Sequence, residues 1–185
     1  MRKILIVVDM QNDFIHGSLG TAEAESIVQP VIDKIKEYEP ENIWATRDTH
    51  EEDYLDTQEG RRLPVKHCIR GTKGWEIADA VAEVMPKATV IDKPTFGSVQ
   101  LADQLAALSA KEEIELEMVG LCTDICVVSN ALCLKARMPE VPIAVDAACC
   151  AGVTPQSHRA ALETMGMCQI VIQNGCLPGD HVSSS

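Results

Sequence analysis

The stretch 116-LEMVGLCTDICVVSNALCLKAR-137 joins two elements of different periodicity. The apolar run 116-LEMVGL-121 is typical of a strand that is covered on both faces. The segment 124-DICVVSNALCLKAR-137 repeats its apolar residues at helical spacing. The stretch therefore predicts a buried strand, a tight turn and a helix, with Cys122 and Cys126 at the turn.

The same unit recurs along the chain. Further predicted strands are 4-ILIVV-8, 43-IWAT-46, 88-ATVID-92, 142-PIAVDAA-148 and 168-CQIVI-172. Further predicted helices are 22-AEAESIVQPVIDKIKEY-38, 74-GWEIADAVAEVM-85, 98-SVQLADQLAALSA-110 and 155-PQSHRAALETMG-166. Alternating strands and helices predict an α/β fold with a mostly parallel sheet. The length of 185 residues suits a single domain spanning 1–185.

The composition excludes several classes of protein. A net charge of −12 argues against binding to nucleic acid, which requires clustered Lys and Arg. No apolar run reaches the length of a membrane helix, and 4–8 is too short for a signal peptide. The eight cysteines lie mostly in apolar stretches: Cys68, Cys122, Cys126, Cys133, Cys149, Cys150, Cys168 and Cys176. They predict buried thiols in a reducing cytoplasm rather than disulfides.

Polar side chains follow four of the predicted strands, where ligands of parallel sheets bind. Asp9 follows the first strand, Asp48 and His50 follow the second, and Lys93 follows the third. Cys126 falls in the first turn of a helix, where backbone N–H groups and the helix dipole favour a thiolate. The same N–H groups are suited to holding an oxyanion. Taken alone, each residue is better interpreted as structural, but three complementary groups at strand ends favour catalysis.

A long polar segment, 47–74, has no helical or strand period. Loops of this length in a compact domain are usually functional or disordered. It contains Asp48, His50, Glu59 and His67, and the Asp-x-His spacing lets two ligands face one ion. Imidazole with carboxylate suits Zn²⁺, and Fe²⁺ or Mn²⁺ as alternatives. For the loop by itself, a solvated segment that binds no ion is the simpler interpretation.

Six segments together resemble the isochorismatase-like cysteine hydrolases, and among them the nicotinamidases. They are 7-VVDMQNDF-14, 47-RDTHEEDY-54, 58-QEGRRLPVKHCIRGTKGWE-76, 92-DKPTFGS-98, 119-VGLCTDICV-127 and 145-VDAACCAG-152. The resemblance runs from about residue 3 to residue 172. It implies a single Rossmann-like domain, with helices on both faces of a parallel sheet and the 47–74 segment as a metal-loop insertion.

The resemblance also implies roles for the reactive residues. Cys126 matches the nucleophile, Asp9 the general acid and base, and Lys93 the cation that supports the thiolate. A cis peptide is implied between Leu121 and Cys122. The N–H groups of Cys122 and Cys126 are then expected to form the oxyanion hole, so that one cysteine reacts and the other marks the turn.

The metal loop divides this family, because nicotinamidases have the ligands and isochorismatases lack them. Asp48, His50 and His67 match the nicotinamidase pattern, and Glu59 matches a ligand of some members. Phe14 matches an aromatic residue that stacks on a pyridine ring; an ordinary core phenylalanine is the alternative.

The expected activity is hydrolysis of nicotinamide to nicotinate and ammonia through a cysteine thioester. The loop 48-DTHEEDYLD-56 departs from many nicotinamidases, and only Phe14 and Phe96 are phenylalanines, so Phe96, Tyr54 or Trp44 would have to complete an aromatic wall. Two alternatives follow: an amidase for another small amide, and a zinc-binding scaffold without activity. The family commonly assembles, and an oligomer of identical chains is expected.

Overall fold

The structure is a computed structural model, which describes residues 1–175. Its centre is one sheet in which every pair of neighbouring strands is parallel. The strands are β1 (Arg2–Val8), β2 (Ile43–Asp48), β3 (Thr89–Lys93), β4 (Ile114–Leu121), β5 (Ile143–Ala151) and β6 (Val171–Gln173). All six predicted strands are confirmed, with ends that differ by a few residues. The predicted domain continues to residue 185, but Cys176 and the trailing 181–185 segment lie outside the described residues.

The strand order is β3-β2-β1-β4-β5-β6. The chain moves outward from β1 to β3 and then crosses back to β4 on the other side of β1. In doubly wound sheets, this reversal opens a crevice at the carboxyl ends of the two central strands, and ligands bind there. Asp9 follows β1 and the Cys122–Cys126 turn follows β4, so the topology itself brings these predicted site residues to the crevice.

Helices cover both faces of the sheet. They are α1 (Asn12–Ile15), α2 (Ala22–Ser26), α3 (Val28–Ile35), α4 (Gln58–Arg62), α5 (Asp79–Ala82), α6 (Val99–Ser109), α7 (Val128–Arg137) and α8 (Pro155–Met167). Alternate residues of β1 point to opposite faces: Ile4 and Ile6 pack with α6, α7 and α8, and Leu5 and Val7 pack with α2, α3 and α5. Burial of β1 in two cores explains why its sequence is uniformly apolar. No helix among the described residues is long and apolar enough to cross a membrane.

Two predicted helices differ in the structure. The 22–38 helix is divided into α2 and α3, because Pro30 lacks the N–H group that would continue the hydrogen bonds across residue 26. Most of the 74–85 helix is absent, and only α5 is helical. Residues 76–78 are instead bonded to the segment after β1, through a bridge between Gln11 and Ile77 and a hydrogen bond from the Ala78 N–H to the Met10 carbonyl. Tertiary pairing here outweighs a helical pattern.

Candidate active site

A thiol, a carboxylate and an ammonium group meet in the crevice. Nζ of Lys93 lies 2.7 Å from Oδ2 of Asp9 and 3.2 Å from Sγ of Cys126. All three side chains are buried. Lys93 leaves β3, which β2 and β1 separate from β4, so the two strands are not the neighbours that a short contact would suggest. The long side chain of Lys93 nevertheless places its ammonium group in contact with the sulfur of Cys126.

Burial sets the protonation of this group. It raises the pKa of the Cys126 thiol well above the ordinary value, the charge of Asp9 raises it further, and the Lys93 ammonium opposes both. Burial also raises the pKa of Asp9, although Lys93 opposes the shift. Burial opposes the charge of Lys93, but its contacts with Asp9 and Cys126 outweigh that effect and raise its pKa. Burial therefore favours the protonated thiol of Cys126, and it opposes the thiolate that a position near a helix start favours.

Two buried side chains that were not predicted as site residues, Thr46 and Gln11, hold this group and the neighbouring Asp48 in place. The Thr46 hydroxyl donates to Oδ1 of Asp9 at 2.6 Å, and Asp9 itself has a left-handed backbone with a φ of 48°. The Gln11 side chain donates to the Asp48 carbonyl at 2.8 Å and accepts from the Asp48 N–H at 2.7 Å. Gln11 lies in the 7–14 segment that carried the resemblance. The signal available in the sequence was a polar glutamine two residues after Asp9, directly behind the apolar strand.

The turn from β4 into α7 carries both cysteines. Gly120 has a φ of 116°, and a Cβ there would lie 2.1 Å from the carbonyl oxygen of Val8, so β4 and β1 approach closely only because this residue is glycine. The next peptide, Leu121–Cys122, is cis, as the resemblance implied. Residues 123–127 form a turn of π-helix before α7 begins. Cys122 and Cys126 both line the cavity described below.

Four potential metal ligands meet beside the cysteine. One donor atom from each of Asp48, His50, Glu59 and His67 lies within 4.8 Å of every other. Nε2 of His50 is 2.9 Å from Oδ2 of Asp48 and 3.6 Å from Oε1 of Glu59. Nε2 of His67 is 3.7 Å from each of the same two oxygens. The structure thus brings together all four of the ligands predicted from the sequence.

The polar loop builds this group from two short elements. The backbone around His50 pairs with that around Ile69, through hydrogen bonds to the Cys68 carbonyl and from the Arg70 N–H, and this pairing sets His67 beside His50. Glu59 lies on α4, whose first turn is capped by the Thr57 hydroxyl. The backbone pairing within the polar loop supplies contacts that its sequence did not reveal.

The donor set fits a tetrahedral metal ion such as zinc. Ligands about 2.1 Å from such an ion lie about 3.4 Å from one another, close to the four separations above. Nε2 of His50 is buried and has no hydrogen-bond partner of acceptable geometry among the described residues, as expected of a ligand atom. Nδ1 of His67 lies 2.8 Å from the Val65 carbonyl, which fixes the ring with Nε2 toward the group. Burial opposes ionisation of Asp48, but its contacts with His50 and Lys93 outweigh burial and lower its pKa.

A cavity of about 410 Å³ joins the cysteine to the ligand group. Its lining residues are Phe14, Leu19, Asp48, Gln58, Glu59, Arg62, Leu63, His67, Phe96, Cys122, Ile125 and Cys126. Pockets of this size take small molecules. Leu19, Leu63 and Ile125 were not singled out from the sequence, because isolated aliphatic residues carry no pattern that separates a pocket wall from core.

The aromatic residues divide between the cavity and its support. Phe14 lines the cavity with its ring centre 5.6 Å from that of His67, and Phe96 lines it as well. Tyr54 is fully buried and packs against the rings of His50 and His67, with centres 4.6 and 5.0 Å away. Trp44 packs against the core on the α6–α8 face of the sheet. Two of the three residues considered for the aromatic wall therefore lie elsewhere.

Comparisons with known proteins agree with this geometry. The family model of the isochorismatase domain matches residues 3–174. A nicotinamidase from Schizosaccharomyces pombe is 27% identical over 163 residues, with 69% of this chain and 74% of the relative covered. Together, the family and its nicotinamidase relatives indicate an amidohydrolase, an enzyme that cleaves a C–N amide bond.

Solved structures show the same fold. Pyrazinamidase of Pyrococcus horikoshii in complex with zinc is 28% identical, with a TM-score of 0.77 and coverage of 93% of this chain and 98% of that one. Nicotinamidase/pyrazinamidase from Bacillus subtilis is 25% identical, with a TM-score of 0.80 and coverage of 94% and 100%. By its sequence over nearly the whole described length, and by its fold, this chain belongs to the isochorismatase family.

Proposed function

We propose that this protein is a metal-dependent cysteine amidohydrolase that converts nicotinamide to nicotinate and ammonia. The observation that carries the proposal is that Asp9, Lys93 and Cys126 meet directly beside a four-ligand metal group, and that Cys126 and three of those ligands line one cavity. A small ring held at the ligand group would present its amide to the thiol. The nicotinamidase relative and the zinc-containing pyrazinamidase neighbour support the same assignment.

In the proposed reaction the proton starts on sulfur, which is the state that the raised pKa of Cys126 favours. Asp9 takes that proton while Sγ attacks the amide carbon, and the carbonyl oxygen becomes an oxyanion. Lys93 stabilises the negative charge that passes between sulfur and carboxylate. The backbone N–H groups of Cys122 and Cys126 are proposed to hold the oxyanion. Removal of one such donor typically lowers the rate by about 10²- to 10³-fold.

Collapse of the tetrahedral intermediate breaks the C–N bond. Asp9 returns its proton to the leaving nitrogen, ammonia departs, and the acyl group stays on Cys126 as a thioester. Water then attacks the thioester with Asp9 as base, the C–S bond breaks, and the acid is released as the thiol is restored. A carboxylate whose pKa is raised by burial suits both roles, because it gains and loses a proton nearer to neutral pH.

Asp48, His50, Glu59 and His67 are proposed to hold the ion. When bound, it supplies a Lewis acid beside the cavity that suits a ring nitrogen of the substrate. Zinc fits the two imidazoles and two carboxylates best, and Fe²⁺ or Mn²⁺ are alternatives. Phe14, 5.6 Å from His67, is proposed to stack on the substrate ring.

The composition of the cavity wall supports a second candidate substrate class, small amides without a pyridine ring. Within residues 1–175, Phe14 and Phe96 are the only phenylalanine or tyrosine side chains that line the cavity, and aliphatic Leu19, Leu63 and Ile125 provide much of the rest. A wall of this kind also suits a non-pyridine amide. Turnover of an aliphatic or other heteroaromatic amide, without turnover of nicotinamide, would select this class.

The setting of the protein is also a proposal. The seven cysteines in the described part of the chain are free thiols, which supports a reducing compartment and hence the cytoplasm. A single domain over the whole chain and an assembly of identical chains remain predictions. Size-exclusion chromatography with light scattering measures the assembly directly.

The test is ammonia release from nicotinamide by the purified protein, with bound metal determined on the same sample. The proposal predicts release that stops on chelation and returns when zinc is restored. A zinc-loaded protein that releases ammonia from another amide but not from nicotinamide would contradict the substrate. Full activity in protein stripped of metal would contradict metal dependence.

A further inference from the structure

The turn that carries Cys122 and Cys126 is tied to the start of α8 by two contacts. The Thr123 hydroxyl lies 2.7 Å from Nδ1 of His158. The carboxylate of Asp124 accepts from the Val153 N–H at 3.1 and 3.2 Å. Thr123 is fully buried, and its hydroxyl has no other hydrogen bond within residues 1–175. Neither of the two hydrogen-bonded side chains, Thr123 or His158, lines the substrate cavity.

The position of His158 is set by its place in the capped first turn of α8. It follows a capping box in which the side chains of Thr154 and Ser157 each bond to the other's backbone N–H group, and this box fixes the first turn of α8. Gly152 lies directly against it, since a Cβ at that position would be 2.9 Å from the backbone nitrogen of His158. A capped helix start and a glycine that leaves room for the backbone and Cβ of His158 together set the position of this residue.

We propose that His158 is a positioning residue of the reaction. Through its hydrogen bond to Thr123, it fixes the turn that carries Cys122 and Cys126, the two proposed oxyanion donors. The inference rests on the proposed function. Thr123 directly follows Cys122 and lies three residues before Cys126, so a shift of Thr123 moves both proposed oxyanion donors. Burial lowers the pKa of His158, and Arg159 adds to this while Asp124 opposes it. The lowered pKa of His158 favours the neutral ring, in which one nitrogen accepts a hydrogen bond and the other donates one.

The consequence is a specific kinetic pattern. Oxyanion donors act on the transition state, and a misplacement of about 1 Å can cost about 10²-fold in rate. His158→Ala is expected to lower kcat by about 10- to 100-fold and to leave KM within about twofold, because the cavity wall is unchanged. Thr123→Val, which keeps the shape and removes the hydroxyl, is expected to give the same loss. The double variant is expected to be no worse than either single variant, since both remove one interaction.

The experiment measures kcat and KM for these three variants and for two further ones. Arg159→Ala is the matched control, because it changes the exposed neighbour on α8 and leaves the Thr123 contact. His158→Asn is the conservative variant, which offers a side-chain amide near the position of Nδ1 and is expected to recover part of the loss. Thermal unfolding of each variant separates lower kcat from lower folded fraction. Losses in His158→Ala and Thr123→Val that multiply in the double variant, or that fall on KM alone, would overturn the proposal.

A second measurement does not depend on turnover. Pyridine-3-carbaldehyde can add to Cys126: Asp9 takes the proton of the thiol, the C–S bond forms, the carbonyl π bond breaks, and oxygen takes the charge that the turn would hold. The aldehyde is expected to protect Cys126 from iodoacetamide about 10-fold less well in His158→Ala than in Arg159→Ala. Equal protection would overturn the role of His158. A wild-type protein that adds the aldehyde but releases no ammonia would contradict the proposed function and leave this readout of His158 intact.

Discussion

Replacement of Lys93 by methionine should disable the site and destabilise the fold at the same time. Methionine has nearly the same length and no charge, so the change removes the ammonium and little of the packing. In the wild type, the ammonium lies 2.7 Å from Asp9 and 3.3 Å from Asp48, with all of these groups buried. At an effective dielectric constant of about 20, these attractions are worth about 6 and 5 kcal/mol before the cost of burial is subtracted.

The net effect is smaller because both partners lose their hydration on folding. Removal of one member of a buried ion pair typically costs about 3–5 kcal/mol, and we expect this range for Lys93→Met above neutral pH. The pKa of Asp9 is already raised in the folded protein, and loss of Lys93 would raise it further. Because the pKa of Asp9 is higher in the folded protein than in the unfolded protein, protonation of Asp9 stabilises the folded state. The loss of stability in Lys93→Met relative to the wild type should therefore be small below the unfolded pKa of Asp9, which is about 4. It should grow as pH rises toward the higher pKa that Asp9 has in the folded variant.

The assay is urea unfolding from pH 4 to pH 8, together with amide hydrolysis. Lys93→Met should lose stability progressively as pH rises and should lose at least about 10²-fold in kcat. The double variant Lys93→Met/Asp9→Asn should recover much of the stability and none of the activity, because the second change removes the unpaired charge and the base together. Lys87→Met, at an exposed ion pair with Glu41, is the control and should change neither. A pH-independent loss, or a double variant as unstable as the single one, would refute the reasoning.

Three further predictions follow from the same geometry. His67→Ala should lower zinc affinity by at least about 10-fold in a competition titration, whereas His16→Ala, on the surface, should leave it unchanged; equal affinities would refute the ligand assignment. Gly120→Ala should lower the free energy of unfolding by about 3 kcal/mol or more, because the new Cβ meets the Val8 carbonyl and the φ of 116° is strained; unchanged denaturant unfolding would contradict this. Iodoacetamide labelling of Cys126 should rise steadily with pH to above pH 9, because burial raises the pKa of its thiol; a plateau near pH 7 would indicate a preformed thiolate.

The central strands were predictable from the sequence because they are buried on both faces and, as in β1, read as unbroken apolar runs. The edge strands β3 and β6 are partly exposed, but their short apolar runs were sufficient to indicate strands. The order of the strands was not predictable, since an apolar run such as 88-ATVID-92 fits the edge or the centre of a sheet equally well. The helix expected over 74–85 failed for a related reason. Its apolar spacing is helical, but the bridge to Gln11 draws the segment into extended backbone, and a bridge to a distant residue leaves no mark in a local pattern.

Some residues of the candidate site could also be predicted from the sequence, and others could not. Asp9, Lys93 and Cys126 stood out because strand ends converge in any parallel sheet, and the structure brings them within contact distance. The supporting residues did not stand out. Thr46 lies inside a predicted strand and His158 inside a predicted helix, where each looks like an ordinary member of its element. Only the fold shows that their side chains end at Asp9 and Thr123.

The account depends most on which sulfur carries the acyl group. Wild-type protein is mixed with excess nicotinamide, quenched in acid during turnover, digested and examined by mass spectrometry. The account predicts a nicotinoyl thioester on Cys126, with Cys122 unmodified on the same peptide, and no adduct or ammonia release in Cys126→Ala. An acyl group on Cys122, or turnover that survives in Cys126→Ala, would contradict it.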